Sequence, residues 1–335
     1  MKQVIQNLRT GGLTLAEVPR PALSAGRVLV ANAFSLISPG TERATVRLAR
    51  QSLLGMARSR PDLVRRVVEK AREEGLPAAL RRALRRLDQP MLLGYSSAGT
   101  ILECAPDVRD LQPGMTVACA GTGYACHAEI VAVPRNLCIP LPEGAAPADT
   151  CFAALGAIAL HGLRLSEATL GDEVAIIGLG LVGQLLVQVA KAAGCRVLAY
   201  DPLPERAALA ETLGADLALS DAAAFLRAAQ ALPHGHGCDA VLIAAATGSH
   251  APVELAAASA RDRACVVAIG DVGMDLPRRA FYEKELRFLV SRSYGPGRYD
   301  HAYEEQGFAY PEGHVHWTET RNMAGFLDLV AQRRV

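Results

Sequence analysis

Lysine is scarce in this sequence, standing only at Lys2, Lys70, Lys191 and Lys284 among 335 residues. Arginine carries the remaining basic charge, and the formal net charge is +1. That balance gives no global case for binding nucleic acid or a membrane surface. Paired cysteines are missing as well. The eight cysteines, Cys104, Cys119, Cys126, Cys138, Cys151, Cys195, Cys238 and Cys265, stand singly, with no C-x-x-C spacing. This excludes a recognisable structural zinc lobe and a dithiol redox motif, and predicts reduced, mostly buried thiols in a cytoplasmic protein. The first residues, "MKQVIQNLRTGG", lack the apolar core of a signal peptide, and no apolar run is long enough to span a bilayer.

What is present is a half-hydrophobic, 21% charged chain with material for two domains of ordinary size. The first 40 residues carry short apolar runs such as "RVLVANAFSLI", broken by Gly and Pro, which predict strands. From Arg43 to Leu87 apolar residues recur at three and four, as at Leu63, Val67 and Val68, and predict short amphipathic helices. Pro61 marks one helix start and Gly75-Leu-Pro77 a break. Strand-like runs return at "AGTILECA", "MTVACAG" and "AEIVAVPRNLCIPLP". From about Asp149 the pattern alternates, with apolar strands at "EVAIIG", "RVLAYD", "AVLIAAA", "ACVVAIG" and "LRFLVS" and Ala/Leu-rich helices between several of them. It predicts an α/β unit, a doubly wound parallel sheet with helices on both faces.

The strongest chemical signal is "VAIIGLGLVGQLLVQVAKAAGCRVLAYDP". A buried strand runs into Gly178-Leu-Gly180-Leu-Val-Gly183 and a helix opens at once. Gly178 permits the tight turn, Gly180 lets the backbone approach a pyrophosphate, and Gly183 lets the helix pack on the strand. Leu181 and Val182 open the helix whose N–H groups face the phosphates. The second strand ends at Asp201, where a carboxylate takes both ribose hydroxyls and repels a 2′-phosphate, so NAD is expected over NADP. Arg206 could lie over the adenine or meet a 2′-phosphate. Ala245 and Gly270, after later strands, complete the expected cofactor contacts.

With these residues in view, the chain resembles the medium-chain dehydrogenase/reductase superfamily over nearly its whole length. "GYACHAEIVAVPRNLCIPLPEG" looks like the segment leading to that family's Rossmann domain, and "AALGAIALHGL" like its following helix. The resemblance implies a GroES-like β-rich catalytic domain over 1–148 with a helical insert at about 43–88. A Rossmann domain over 149–295 and a returning segment over 296–335 would follow. It implies a structural role for His161 and a homodimer through the Rossmann sheet edge.

The zinc site departs from the family. "SLISPGTER" puts Ser38 at the first ligand position, "LLGYSSAGTI" puts Tyr95 at the second with Ser96 for the neighbouring glutamate, and the third falls at Ala154. Serine and tyrosine hydroxyls are poor zinc ligands beside thiolate and imidazole, so no metal is expected. A narrower resemblance rests on "ISPGTER", "LDQPMLLGY" and "RSYGPGRYDHAYEEQGFAYPEGHVHWTETRNM". These look like bacterial bi-domain oxidoreductases found in carbohydrate contexts, beside which the closing segment "FLDLVAQRRV" reads as short, as in a short form or fragment. The zinc-free dehydrogenase of bacteriochlorophyll synthesis shares the "GTER" and "GY" loops, but not the insert.

Without zinc, a positioned acid/base must move the proton. Tyr95 is the candidate, with its pKa lowered by the cofactor ring and by Arg43, Arg292 or Arg298. Ser38 and Thr41 would orient the substrate or relay the proton, and Glu42 would accept it. Arg43, Arg298 and Tyr299 are candidate substrate contacts. The pairs Arg65-Arg66, Arg81-Arg82 and Arg85-Arg86 are either an electropositive rim for an anionic substrate or a solvated helix face. No nucleic-acid reading motif accompanies them. The expectation is a zinc-independent NAD-dependent dehydrogenase for a small-molecule secondary alcohol, plausibly carbohydrate-like. An NADPH-dependent quinone or enoyl reductase, a chlorin hydroxyethyl dehydrogenase, and a non-catalytic cofactor-binding scaffold are the alternatives.

Overall fold

Glu173–Ile177 is buried at every residue, as a strand must be when helices cover both faces of its sheet. In the computed structural model this strand is the centre of the molecule's larger sheet. The structure describes residues 1–7, 10–49, 65, 68, 69, 72, 75, 78, 81, 90–232 and 235–335. The helix start at Pro61, the full Gly75-Leu-Pro77 break, and Arg66, Arg82, Arg85 and Arg86 therefore lie outside the described residues.

The amino-terminal strands are β1 (Lys2–Asn7), β2 (Leu13–Glu17), β3 (Arg27–Ser35), β4 (Pro90–Leu92), β5 (Ser96–Cys104), β6 (Thr116–Ala120), β7 (Ile130–Pro134) and β8 (Cys138–Pro140). They form an antiparallel three-stranded sheet, β2-β1-β4, and an antiparallel five-stranded sheet, β7-β3-β5-β6-β8. Helix α1 (Pro39–Ala49) leaves β3 through Ser38. The inward residues of these strands, Val28, Val30, Ile101, Val117, Val131 and Val133, make one core.

Helix α2 (Ala153–Leu165) is buried almost all round. Its Gly156 lies under the ring of Phe326, and its Gly162 against Ile269; a Cβ at either would sit 2.2–2.3 Å from those side chains. Small residues on this helix let it pack three ways: against β5, against the carboxyl-terminal helix, and against the second domain.

That domain holds β9 (Glu173–Ile177), α3 (Leu181–Ala192), β10 (Arg196–Tyr200), α4 (Pro204–Thr212), β11 (Leu217–Leu219), α5 (Ala222–Gln230), β12 (Cys238–Ile243), α6 (Ala251–Ser259), β13 (Ala260–Ala268) and β14 (Arg287–Val290). All pairings are parallel, in the order β11-β10-β9-β12-β13-β14. The order reverses at β9, the switch point at which a doubly wound sheet opens a crevice. This is the Rossmann arrangement, joined to a GroES-like β domain. Helix α7 (Glu319–Ala331) then returns to pack on α2 and β8 through Met323, Phe326 and Leu327. No described helix is long and apolar enough to cross a membrane.

Candidate active site

The cofactor end is built by backbone geometry at the carboxyl edge of the parallel sheet. After β9, Gly178 turns at φ +94°, where a Cβ would come 2.5 Å from the Ala245 nitrogen. A Cβ on Gly183 would sit 2.0 Å from the Gly178 oxygen, so this glycine sets the closeness of α3 to the turn. A Cβ on Gly180 would meet nothing within 4 Å. The space in front of α3 is thus open, and the first helix-internal bond, Gln184 N–H to Gly180 O at 2.9 Å, leaves the N–H groups of Leu181, Val182 and Gly183 facing it. Ala245 N–H bonds Ile177 O at 3.2 Å and Gly270 N–H bonds Ile243 O at 2.9 Å, which brings both residues to the same edge.

Asp201 follows β10 and is 3% exposed. Its Oδ2 accepts the Leu179 N–H at 2.8 Å and its Oδ1 the Leu203 N–H at 3.0 Å. The Arg206 guanidinium lies 3.3 Å from Oδ2 and is half exposed. Every residue predicted to hold the cofactor gathers here, and the open cradle, free helix end and fixed carboxylate fit a dinucleotide.

The second cluster lies where β3, α1, β5 and the segment after β14 meet. Ser38 and Glu42 exchange bonds across the first turn of α1. Glu42 N–H donates to Ser38 O at 2.9 Å, and Ser38 N–H donates to Glu42 Oε1 at 2.8 Å. Tyr95 follows Gly94, which turns at φ +90° against His127. The Tyr95 hydroxyl donates to Ser38 Oγ at 2.9 Å, and Thr41 bonds the phenol as well. His127 Nε2 meets Glu42 Oε2 at 3.0 Å, and its Nδ1 meets Ser35 Oγ at 2.8 Å. Beside Tyr95, Ser96 Oγ donates to Cys151 O at 2.6 Å and accepts from Ala154 N–H at 3.3 Å, tying β5 to α2.

Ser38, Thr41, Glu42 and Tyr95, the four predicted catalytic residues, are therefore one hydrogen-bonded group. The expected lowering of the Tyr95 pKa is corrected. Burial pushes the phenol above its ordinary value, the bonds from Ser38 and Thr41 pull the other way, and Glu42 and Tyr299 add to the rise. None of the three arginines named for it acts on it in that way. Arg43 is exposed on α1, Arg292 lies over the Tyr299 ring, and Arg298 is turned inward. Its guanidinium bonds Glu304 at 2.6 Å and lies 3.9 Å from the Tyr299 ring centroid. Of the predicted substrate residues, Tyr299 alone acts electrostatically on the phenol, and its ring is largely exposed, at φ +66°.

Behind Arg298, Glu319 is fully buried, and neither carboxyl oxygen has a hydrogen-bond partner among the described residues. Burial first, then the Glu304 charge, pushes its pKa up to about 9. His161 packs against Gly295, outside the Tyr95 group, and burial lowers its pKa. Sequence reading gave no role to His127, which meets Glu42 across 85 positions with no local motif to announce it. It likewise missed Glu304 and Glu319.

The positions at which the superfamily would keep zinc offer two neutral hydroxyls, already bonded to each other, and the methyl of Ala154. That donor set does not fit a zinc ion. Among the described residues, no group of three or more His, Cys, Asp or Glu could hold a metal.

Comparison with known proteins agrees with the fold. Residues 72–143 match the family model for the alcohol dehydrogenase GroES-like domain, and residues 182–306 match that for zinc-binding dehydrogenase. D-guloside 3-dehydrogenase of Escherichia coli is 32% identical over 130 residues, which cover 38% of this chain and 37% of that protein. A probable D-xylulose reductase A of Arthroderma otae is 28% identical over 255 residues, covering 66% of this chain and 71% of that one. The crystal structure of galactitol-1-phosphate dehydrogenase from Escherichia coli superposes with a TM-score of 0.73 at 21% identity, covering all of this chain and 90% of the other. The two-domain architecture, the glycine turn and these relatives agree: the chain belongs to the medium-chain dehydrogenase/reductase superfamily.

Proposed function

We propose that the protein is a zinc-independent, NAD-dependent oxidoreductase that interconverts a secondary alcohol and its ketone on a carbohydrate-like small molecule. The observation that carries this is the hydroxyl cluster of Tyr95, Ser38 and Thr41, in which Tyr95 and Ser38 stand where the superfamily would keep two of its metal ligands. Tyr299 joins the reach of that cluster to the segment beyond the carboxyl end of β14. The Gly178–Gly183 turn, Ala245 and Gly270 would hold the dinucleotide, with Asp201 toward the ribose of its adenosine. Bound there, the nicotinamide supplies or accepts the hydride. The raised pKa of Tyr95 keeps its phenol protonated at neutral pH, so its O–H donates to the substrate oxygen in the reducing direction. After that donation Ser38 and Thr41 hydrogen-bond the phenolate, which takes its proton back from solvent. The exposed Tyr299 ring offers a flat face for a sugar ring. Sugar-derived substrates in the names of two relatives, a guloside and galactitol-1-phosphate, support that substrate class. The open β14 edge, with Leu289 and Val290 exposed, supports a homodimer through this sheet.

Two experiments test the reading. Fluorescence titration of metal-analysed protein should show tighter binding of NADH than of NADPH. The reverse order would transfer the adenosine role to Arg206 and move the assignment toward a reductase. Turnover of a screened sugar ketone should then fall by about 100-fold or more in Tyr95→Phe. A variant within a few-fold of the parent would remove Tyr95 from the mechanism.

A further inference from the structure

We propose that Glu42 and His127 are positioning residues that lock the Ser38 turn beneath Tyr95 and keep a fixed negative charge beside its phenol. The proposal deepens the reading of Tyr95 as the proton donor and rests on it. It begins from a closed chain of contacts between elements far apart in sequence.

Both Glu42 carboxylate oxygens are engaged. Oε1 holds the Ser38 N–H at 2.8 Å and Oε2 meets His127 Nε2 at 3.0 Å. Their side chains are 12% and 11% exposed, so water competes little for these bonds. An ionised carboxylate only accepts, so Nε2 must carry a proton. With a neutral ring, Nδ1 then keeps its lone pair and accepts from the Ser35 hydroxyl, 2.8 Å away. One carboxylate thereby fixes the Ser38 turn on one side and the imidazole on the other.

His127, by its main chain and its ring, in turn registers the Tyr95 loop. The His127 N–H bonds Leu93 O at 2.8 Å, and Gly94 lies so close that a Cβ there would sit 2.9 Å from the His127 ring. Leu93, Gly94 and Tyr95 are therefore registered against His127, and Ser38 is registered against Glu42. The 2.9 Å bond from Tyr95 to Ser38 closes the circuit. The groups facing the phenol are Glu42 and the Thr41 and Ser38 hydroxyls from the α1 side, and Tyr299 from the segment after β14. Among these, Glu42 is the carboxylate, and its charge helps to hold the proton on Tyr95.

The test separates charge from geometry. In the cofactor-free protein, ultraviolet absorbance follows tyrosinate formation with pH, and subtraction of Tyr95→Phe isolates Tyr95. Glu42→Gln keeps an amide oxygen for the Ser38 N–H but removes the charge, so Tyr95 should ionise at lower pH than in the parent. His127→Gln keeps the charge and loosens the loop, so ketone reduction should lose about 10- to 100-fold in kcat with KM within a few-fold. Thermal melts identify any variant that fails to fold, and Glu42→Asn, which also removes the charge, and His127→Asn then replace it. An unshifted titration in the Glu42 variant overturns the electrostatic role. Parental kcat in the His127 variant overturns the positioning role. Parental turnover in Tyr95→Phe together with a shifted titration overturns the reading of Tyr95 as donor while establishing the coupling to Glu42.

Discussion

Gly180→Ala separates cofactor binding from folding more cleanly than any other single change in the turn. Gly180 has φ −70° and ψ −169°, extended backbone that alanine adopts freely, and its added methyl would meet nothing within 4 Å. The folded protein should therefore tolerate it, and the lost backbone freedom of the unfolded chain should add about 0.4–1 kcal/mol of stability. The same methyl would stand in the open space before α3, where the pyrophosphate must approach the N–H groups of Leu181, Val182 and Gly183. Loss of one charge-assisted hydrogen bond costs about 1.5–3 kcal/mol, which corresponds to roughly 10- to 150-fold weaker binding. Gly183→Ala is the contrasting control. Its methyl would lie 2.0 Å from the Gly178 oxygen, so α3 or the turn must move by more than an ångström. That overpacking should cost about 1–3 kcal/mol of stability. Thermal melting and NADH fluorescence titration on both variants make the comparison. Parental NADH affinity in a fully folded Gly180→Ala protein would refute the assignment of this turn as the phosphate cradle.

Four further outcomes are expected. Asp201→Asn removes the carboxylate that holds Arg206 and that is proposed to take the ribose, so the ratio of NADH to NADPH affinity should fall by about tenfold or more in paired titrations. Phe326→Ala empties the ring that covers Gly156 and should cost about 3–5 kcal/mol in denaturant unfolding. Glu319 gives a pH signature. Its pKa rises from an ordinary 4.5 to about 9, so the native state keeps a proton that the unfolded chain has released between those values. The stability linked to it is full below the unfolded pKa and is lost as pH rises toward 9. The Tm of the parent should decline across that window, and Glu319→Gln should flatten the decline. Finally, kcat for ketone reduction should hold level through neutral pH and fall at alkaline pH as the Tyr95 phenol ionises. The reverse oxidation, which needs the phenolate, should rise over the same range.

The sequence displayed the second domain in detail because its rules are local. The runs "EVAIIG" and "RVLAYD" became neighbouring strands β9 and β10, and the close approach of Gly183 to the Gly178 oxygen is a contact within six positions. Ser38, Thr41, Glu42 and Tyr95 were also legible as a group, since three of the four fall within one turn of α1. The direction of the Tyr95 shift was not. A sequence shows which residues carry charge, but not which of them are turned away from one another. Arg298 lies in a segment rich in tyrosines and looked available to the cleft, yet Glu304, six positions on, captures it at 2.6 Å. The tyrosine that reaches Tyr95 is Tyr299, adjacent in sequence to Arg298, where a positive φ alters the path of the chain. His127 was hidden for a related reason. Its partners Ser35 and Glu42 come from β3 and α1, and only the closure of the antiparallel sheet brings them to one point. Local grammar therefore predicts a glycine turn well and the surroundings of a buried phenol poorly. The turn is backbone around one helix start, whereas the phenol's proton affinity depends on burial and on Glu42 and Tyr299, which come from two separate parts of the chain.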